Sequence, residues 1–214
     1  MPSATFRALR HRNFQLFFGG QLISLVGTWM QNVAQSWLIY RLTHSALLLG
    51  LVGFAGQAPV FFLATVGGAV ADRRARRDVL VATQSTMMLL AFALAALTLL
   101  RVVQAWHVFV LAAALGTVNA FDIPTRQAFV VEMVGKEDLG NAIALNSSMF
   151  NGARVVGPAV AGVLVAAVGE GWCFFGNAVS FLAVIAGLLL IRVPLRELPP
   201  RPDDPLAHAA EGLR

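Results

Sequence analysis

Charge is almost absent from long stretches of this chain, and that segregation limits the fold more than any other feature. Residues 13–40, 42–71, 79–100 and 102–121 contain no Asp, Glu, Lys or Arg, and two more uncharged stretches, 155–168 and 171–191, follow Arg154. An α-helix needs about 20 apolar residues to cross the hydrocarbon core of a bilayer. In lipid, backbone N–H and C=O groups must be satisfied internally, so open strands and loops are excluded there. The pattern predicts an all-α, polytopic membrane protein whose first partner is the lipid bilayer. Six transmembrane helices are expected, at about 14–40, 46–71, 79–100, 106–132, 141–168 and 172–191. Only 13% of residues are charged, against about 25% in soluble domains.

The basic residues sit at the ends of these spans. The net charge is +5, yet the arginines do not share one soluble face, which argues against a nucleic-acid partner. Arg7, Arg10, Arg12, Arg73, Arg74, Arg76, Arg77, Lys136, Arg192, Arg196, Arg201 and Arg214 fall on one side of a six-span chain, and Arg41 and Arg101 on the other. The positive-inside rule then puts the N-terminal segment (1–13) and the Pro-rich tail (193–214) in the cytoplasm of a cell, or inner, membrane. Pro194, Pro199, Pro200, Pro202 and Pro205 among charges make that tail read as a disordered linker. The basic N-terminus before an apolar stretch suits a signal peptide, but the stretch is too long and carries ordered polar residues, so it reads as a retained first helix.

Those polar residues are spaced with a purpose. Gln21, Ser24, Thr28, Gln31 and Gln35 step by 3, 4, 3 and 4, which holds them on one helical face, and Asn32 and Ser36 widen the stripe. Such a face lines a wet cavity or hydrogen-bonds another helix. In the fourth span Asp122 precedes Arg126 by one turn, the better orientation for a helical ion pair, and Pro124 lies between them. Either this helix continues to about Glu132 and carries both charges into the membrane, or it stops near Phe121 and Asp122 caps a turn. Arg154 in the fifth span points into a cavity or meets a carboxylate such as Asp122. Ionisable groups at this depth are functional candidates.

A rhythm of polarity runs through the spans. The first and fourth carry buried polar groups, the second and fifth are Gly-rich with a Pro, and the third and sixth are the most apolar. Three-plus-three inverted repeats build one half of a known class of transporters.

The turn between the second and third spans reads G-x-x-x-D-R-x-A-R-R from Gly68 to Arg77. A basic turn serves as a topology signal or a lipid-headgroup site, but this pattern also resembles the loop signature of the major facilitator superfamily. Gly68, Asp72, Arg73, Arg76 and Arg77 match it, while Ala75 stands where that family usually has a glycine in left-handed backbone. Gly152, Gly157, Pro158 and Gly162 resemble the fifth-helix motif of the family's proton-coupled exporters. The phrase D-x-P-x-R, from Asp122 to Arg126, looks like the branch that includes enterobactin exporters and macrolide efflux pumps. The resemblance implies the N-terminal half of a twelve-helix secondary transporter, with proton-coupled efflux of a small-molecule substrate. It implies a partner, either a C-terminal six-helix half or a second copy, which Asp72 would meet. It also implies a pathway along Gln21, Thr28, Gln31, Gln35, Asp122, Arg126 and Arg154. The alternative is a non-transporting truncated membrane protein or scaffold.

No enzyme motif stands out. His11, His44, His107 and His208 lie at helix ends or in the tail, and Cys173 is the single cysteine. No cofactor and no metal site are expected.

Overall fold

Each apolar stretch forms one helix. The computed structural model describes residues 4–192, and the tail at 193–214 lies outside the described residues. A short 3-10 helix, Ala4–Arg10, precedes α1 (Arg12–Thr43), α2 (Ala46–Arg73), α3 (Arg76–Leu99), α4 (Ala105–Val134), α5 (Leu139–Val168) and α6 (Glu170–Leu190). Connections are short, and those before α2 and α4 carry side-chain caps. Ser45 accepts from the Leu48 amide at 3.3 Å, and the His107 ring accepts from the Gln104 amide at 3.0 Å at the start of α4. The chain leaves α1 through His44 and α5 through Gly169, both at positive φ.

Five helices, α2 to α6, are long and apolar enough to cross a membrane. α1 is longer still, but its polar stripe lowers its apolar content. Its outward face and those of its neighbours carry large exposed apolar side chains, among them Leu47, Phe54, Phe61, Phe62, Leu89, Val163 and Leu182. A belt of that size suits lipid and not water.

The helix pairings reveal an internal two-fold relation. The most extensively packed pairs are α2–α4, α1–α6 and α3–α6, followed by α1–α5 and α3–α4. Exchanging α1 with α4, α2 with α5 and α3 with α6 turns this set of pairs into itself. Because each triplet has three spans, α4 starts at the opposite end of the bundle from α1, so the repeats are inverted.

α4 runs unbroken through Pro124 to Val134, so Asp122 does not cap a turn. Pro124 has no N–H to give the Ala120 carbonyl. That carbonyl meets the Gly67 backbone of α2, where any side chain would collide with it. One turn earlier along α4's packed face, Gly116 lies against the Gly56 backbone of α2 in the same way. Small residues thus set the α2–α4 distance.

Apolar packing fills the two ends. One cluster gathers Phe14, Phe17, Leu80, Phe129 and Leu188. The other gathers Leu38, Ile39, Val52, Leu94, Val108 and Phe174. Between them lies a layer of buried polar groups, Gln21, Ser24, Gln31, Thr83, Gln84, Asp122 and Asn177.

Candidate functional site

That polar layer surrounds a chamber of about 250 Å³ lined by all six helices. α1 contributes Gln21, Ser24, Thr28, Gln31 and Asn32; α2 gives Gln57, α3 Gln84, α4 Asn119, Asp122 and Arg126, α5 Phe150 and α6 Asn177. Gln35, on the same α1 stripe, lies a turn beyond it.

Asp122 is the centre of the chamber's chemistry and only 1% exposed. Its Oδ1 accepts from Gln84 Nε2 at 2.9 Å and lies 2.8 Å from the Thr83 hydroxyl. Its Oδ2 lies 3.4 Å from Arg126 Nε, one turn along α4. Arg126 in turn donates to Gln21 Oε1 at 3.2 Å. A buried carboxylate is tolerated only when paired and hydrogen-bonded, and α3 and α4 meet both conditions.

The amide orientations follow from this chemistry. A carboxylate only accepts and a guanidinium only donates, so Gln84 must present Nε2 to Asp122, and Gln21 must present Oε1 to Arg126. Each glutamine keeps one polar atom, Gln84 Oε1 and Gln21 Nε2, with no protein partner among the described residues. The chamber therefore offers one spare acceptor and one spare donor beside a charge pair. Thr83 adds a further option. Its hydroxyl is also 3.0 Å from the Leu80 carbonyl, and with a single proton it donates to one or the other.

Deeper in the layer, Asn177 Nδ2 donates to Gln31 Oε1 at 2.7 Å. The α1 stripe therefore does both of the things its spacing allows. Gln21, Ser24, Thr28 and Asn32 line the chamber, while Gln31 lines it and also binds α6.

At one end of the bundle the loop residues form a second network. Arg76 Nη1 donates to Glu132 at 2.9 Å and to the Ala128 carbonyl at 3.0 Å, and Nη2 lies 3.3 Å from Asp72. Arg77 donates to the Leu188 and Leu189 carbonyls at 2.8 and 2.9 Å. These are among the last carbonyls of α6, which have no helical partner, so Arg77 caps α6. Asp72 itself is exposed, at 69% of its side chain, and Arg73 is exposed too. Gly68 touches nothing across from it, whereas its neighbour Gly67 makes the close contact. Ala75 sits at φ −62° as the cap of α3. The position is not left-handed here, which is why alanine is accepted.

The same end holds a latch on the N-terminal segment. Asp138 meets the His11 ring at 2.9 Å and Arg7 at 3.2 Å, and the Ala8 amide donates to Asn141 at 2.9 Å. The His11 hydrogen bond, aided by the charges of Arg7, His11 and Arg10 and opposed by burial, holds the Asp138 carboxyl below its ordinary value. At the other end Arg41 makes a two-pronged contact with Glu170, at 2.8 and 3.2 Å.

In α5 only part of the expected motif is packed. A side chain at Gly157 would collide with Trp29 and the backbone of Val26, whereas Gly152 and Gly162 face open space. Arg154 does not meet Asp122. Asp122 is taken by Arg126, and Arg154 lies instead over the Trp29 ring, 5.6 Å from its centre. Among the described residues no cluster of metal-ligating side chains occurs.

Sequence reasoning passed over Thr83, Gln84 and Asn177 as site residues. Their signal was present, because each is a polar residue in an otherwise apolar span and so has to face inward. It also passed over the Arg41–Glu170 pair, whose members are two helix ends distant in sequence.

The sequence profile of the family described as transmembrane secretion effector matches residues 3–214. A staphyloferrin A transporter of Staphylococcus aureus is 27% identical over 184 residues, covering 86% of this chain and 46% of that protein. An enterobactin exporter of Shigella flexneri is 27% identical over 205 residues, covering 95% and 48%. A multidrug efflux pump, Tap, of Mycolicibacterium fortuitum is 29% identical over 196 residues, covering 88% and 48%. The chain spans about half the length of these relatives.

Proposed function

This chain belongs to the transmembrane secretion effector family of the major facilitator superfamily, and from that premise we propose that it is one half of a secondary transporter that exports small organic molecules in exchange for protons. Relatives named for siderophore and drug transport support export. The observation that carries the proton-coupled reading is Asp122, a buried carboxylate in a chamber at the middle of the bundle.

The geometry suggests how coupling works. With Asp122 charged, Arg126 is held by it and by Gln21. A proton on Asp122 removes that charge, lets Thr83 turn its hydroxyl to the Leu80 carbonyl, and releases Arg126 toward the chamber. A donor group of the substrate that takes the place of Arg126 at the Asp122 carboxylate competes with the proton for the same oxygens, so loading one discharges the other. Gln57, Asn119 and the spare atoms of Gln21 and Gln84 supply hydrogen bonds to the substrate, and Phe150 supplies an apolar wall. Protonation leaves the Arg126 charge unbalanced, and the guanidinium then turns to the open chamber for compensation.

The full cycle needs two halves that rock against each other, so the partner is a second six-helix half or a second copy. Asp72 is the exposed acidic group of the loop network and the residue to meet that partner. The bundle end carrying Arg7, Arg12, Arg73, Arg74, Arg76, Arg77, Lys136 and Arg192 faces the cytoplasm, and the Arg41–Glu170 end faces out. The membrane is the inner membrane of a bacterial cell.

The test is efflux of a panel of lipophilic drugs and siderophores from cells lacking their own pumps, with this chain alone and with a complementing second half. Export only with the second half supports a transporter half. Export by the chain alone indicates a working homodimer. No export in either case, with insertion verified, favours a scaffold that does not transport.

A further inference from the structure

Trp29 and Asn32 form a wall with a space on each side. On one side is the chamber of Asp122. On the other is a wider groove of about 550 Å³ between α1 and α5, whose lining includes Ser36, Trp37, Tyr40 and Arg154. Arg154 lies fifteen residues into α5, roughly 22 Å along it at a rise of 1.5 Å per residue, which is close to the middle of a bilayer.

A cation at that depth requires compensation. Asp122 and Arg126 compensate each other at a similar depth on α4. Arg154 has no carboxylate partner among the described residues. Its side chain is exposed on the groove. Its guanidinium sits over the Trp29 ring, and Gly157, one turn on, brings α5 against α1 at that same tryptophan. An oriented, unpaired guanidinium beside tryptophan faces is an unfilled half of an ion pair. Guanidinium groups grip planar acids through two parallel hydrogen bonds. Aromatic walls take flat rings, and the groove's size falls in the range of small-molecule sites.

We propose that the Arg154 groove binds the acid group of an anionic aromatic substrate, a carboxylate or acidic phenol on a flat ring, with Trp29 and Trp37 holding the ring. The groove shares its wall with the inner chamber, so a molecule held here stands next to Asp122 and Arg126. This continuity favours a small molecule over an acidic side chain of a second half as the occupant. The proposal deepens the transport reading by naming a substrate class and rests on that reading for its role. Binding itself is measured without transport, so the two can fail separately.

The experiment titrates detergent-purified full chain, with Trp106→Phe and Trp172→Phe, so that Trp29 and Trp37 are the remaining tryptophans of the four. The probes are 4-nitrobenzoate and its uncharged amide, read by tryptophan quenching. Expected is roughly tenfold or more tighter binding of the acid than of the amide, with Arg154→Gln erasing that preference and Arg154→Lys keeping part of it. Unchanged amide affinity shows that Arg154→Gln is folded; if it does not purify, the preference shown by Arg154→Lys decides. Equal binding of acid and amide by the parent, or an undiminished preference in both variants, overturns the proposal. The titration is repeated with a second six-helix half present. Retained acid binding supports the proposal, and its loss there assigns Arg154 to a carboxylate of that half and overturns it.

Discussion

Removing the Asp122 carboxylate should destabilise the chain more than removing the carboxylate and its arginine together. In Asp122→Ala, the donors Thr83 and Gln84 lose their acceptor, and Arg126 loses the anion 3.4 Å away. Interhelical hydrogen bonds in membrane proteins average about 0.6 kcal/mol, so the two bonds account for roughly 1 kcal/mol. Stranding the partner of a buried ion pair costs about 3–5 kcal/mol. Arg126 keeps Gln21 as a partner and its side chain is 25% exposed, which points to the lower end, for a total of about 4 kcal/mol. Asp122→Asn keeps an oxygen for Thr83 and Gln84, but its Nδ2 donor then faces Arg126, which is stranded as in the alanine variant, for about 3 kcal/mol. In Asp122→Ala/Arg126→Ala the stranded charge is gone, and the loss should fall back to about 2 kcal/mol, the cavity and hydrogen-bond share. The assay is reversible unfolding in mixed micelles, followed by circular dichroism, for Asp122→Ala, Arg126→Ala and the double variant. Additivity, with the double variant losing the sum of the singles, would refute the argument that the pair is buried and coupled.

Arg77→Ala removes both side-chain bonds to the end of α6 and should cost about 1–2 kcal/mol by the same unfolding assay. Gly157→Val places a side chain where Trp29 and the Val26 backbone already stand. It should cost about 1–3 kcal/mol from overpacking and open the α1–α5 contact, seen as a shift in tryptophan emission. The Asp138 latch carries a pH signature. Its carboxyl is held below the ordinary value in the folded chain, so its stabilising contribution is present above that ordinary value, about 3.9, and is lost as pH falls through the lower, folded value. Amide exchange at Ala8, corrected for intrinsic rates, should stay protected from neutral pH to about pH 4 and lose protection below it. Asp138→Asn should show the unprotected behaviour already at neutral pH.

The spans could be read from charge segregation alone, because lipid leaves a backbone few alternatives. The inverted repeat could be read from the rhythm of polar, glycine-rich and apolar spans, and the helix pairings carry the same symmetry. Spacing also marked one face of α1, and the i, i+4 order of Asp122 and Arg126 anticipated their pairing. Other features depend on the third dimension. Spacing along α4 could not decide whether the helix survived Pro124; it continues there, with the freed Ala120 carbonyl packed on Gly67 of α2. Nothing local says that Arg154 would find Trp29 and not Asp122; which helices adjoin decides it. Thr83 and Gln84 stood out only as polar residues in an apolar span, and the carboxylate that gives them a role is on another helix. The α6 cap made by Arg77 and the link from Arg76 to α4 were hidden by their place in a basic run, where topology alone accounts for the charge.

The central claim, that Asp122 is the proton-carrying group of an exporter half, is tested most directly in proteoliposomes. The chain is reconstituted with a complementing second half, and a pH gradient is imposed. Accumulation of the compound identified by the cell assay is compared between parent and Asp122→Asn. The account predicts that the variant keeps downhill exchange within about twofold while gradient-driven accumulation falls by roughly two orders of magnitude, the range of a lost proton-transfer group. Gradient-driven accumulation equal to the parent, in a variant that still exchanges, would contradict it.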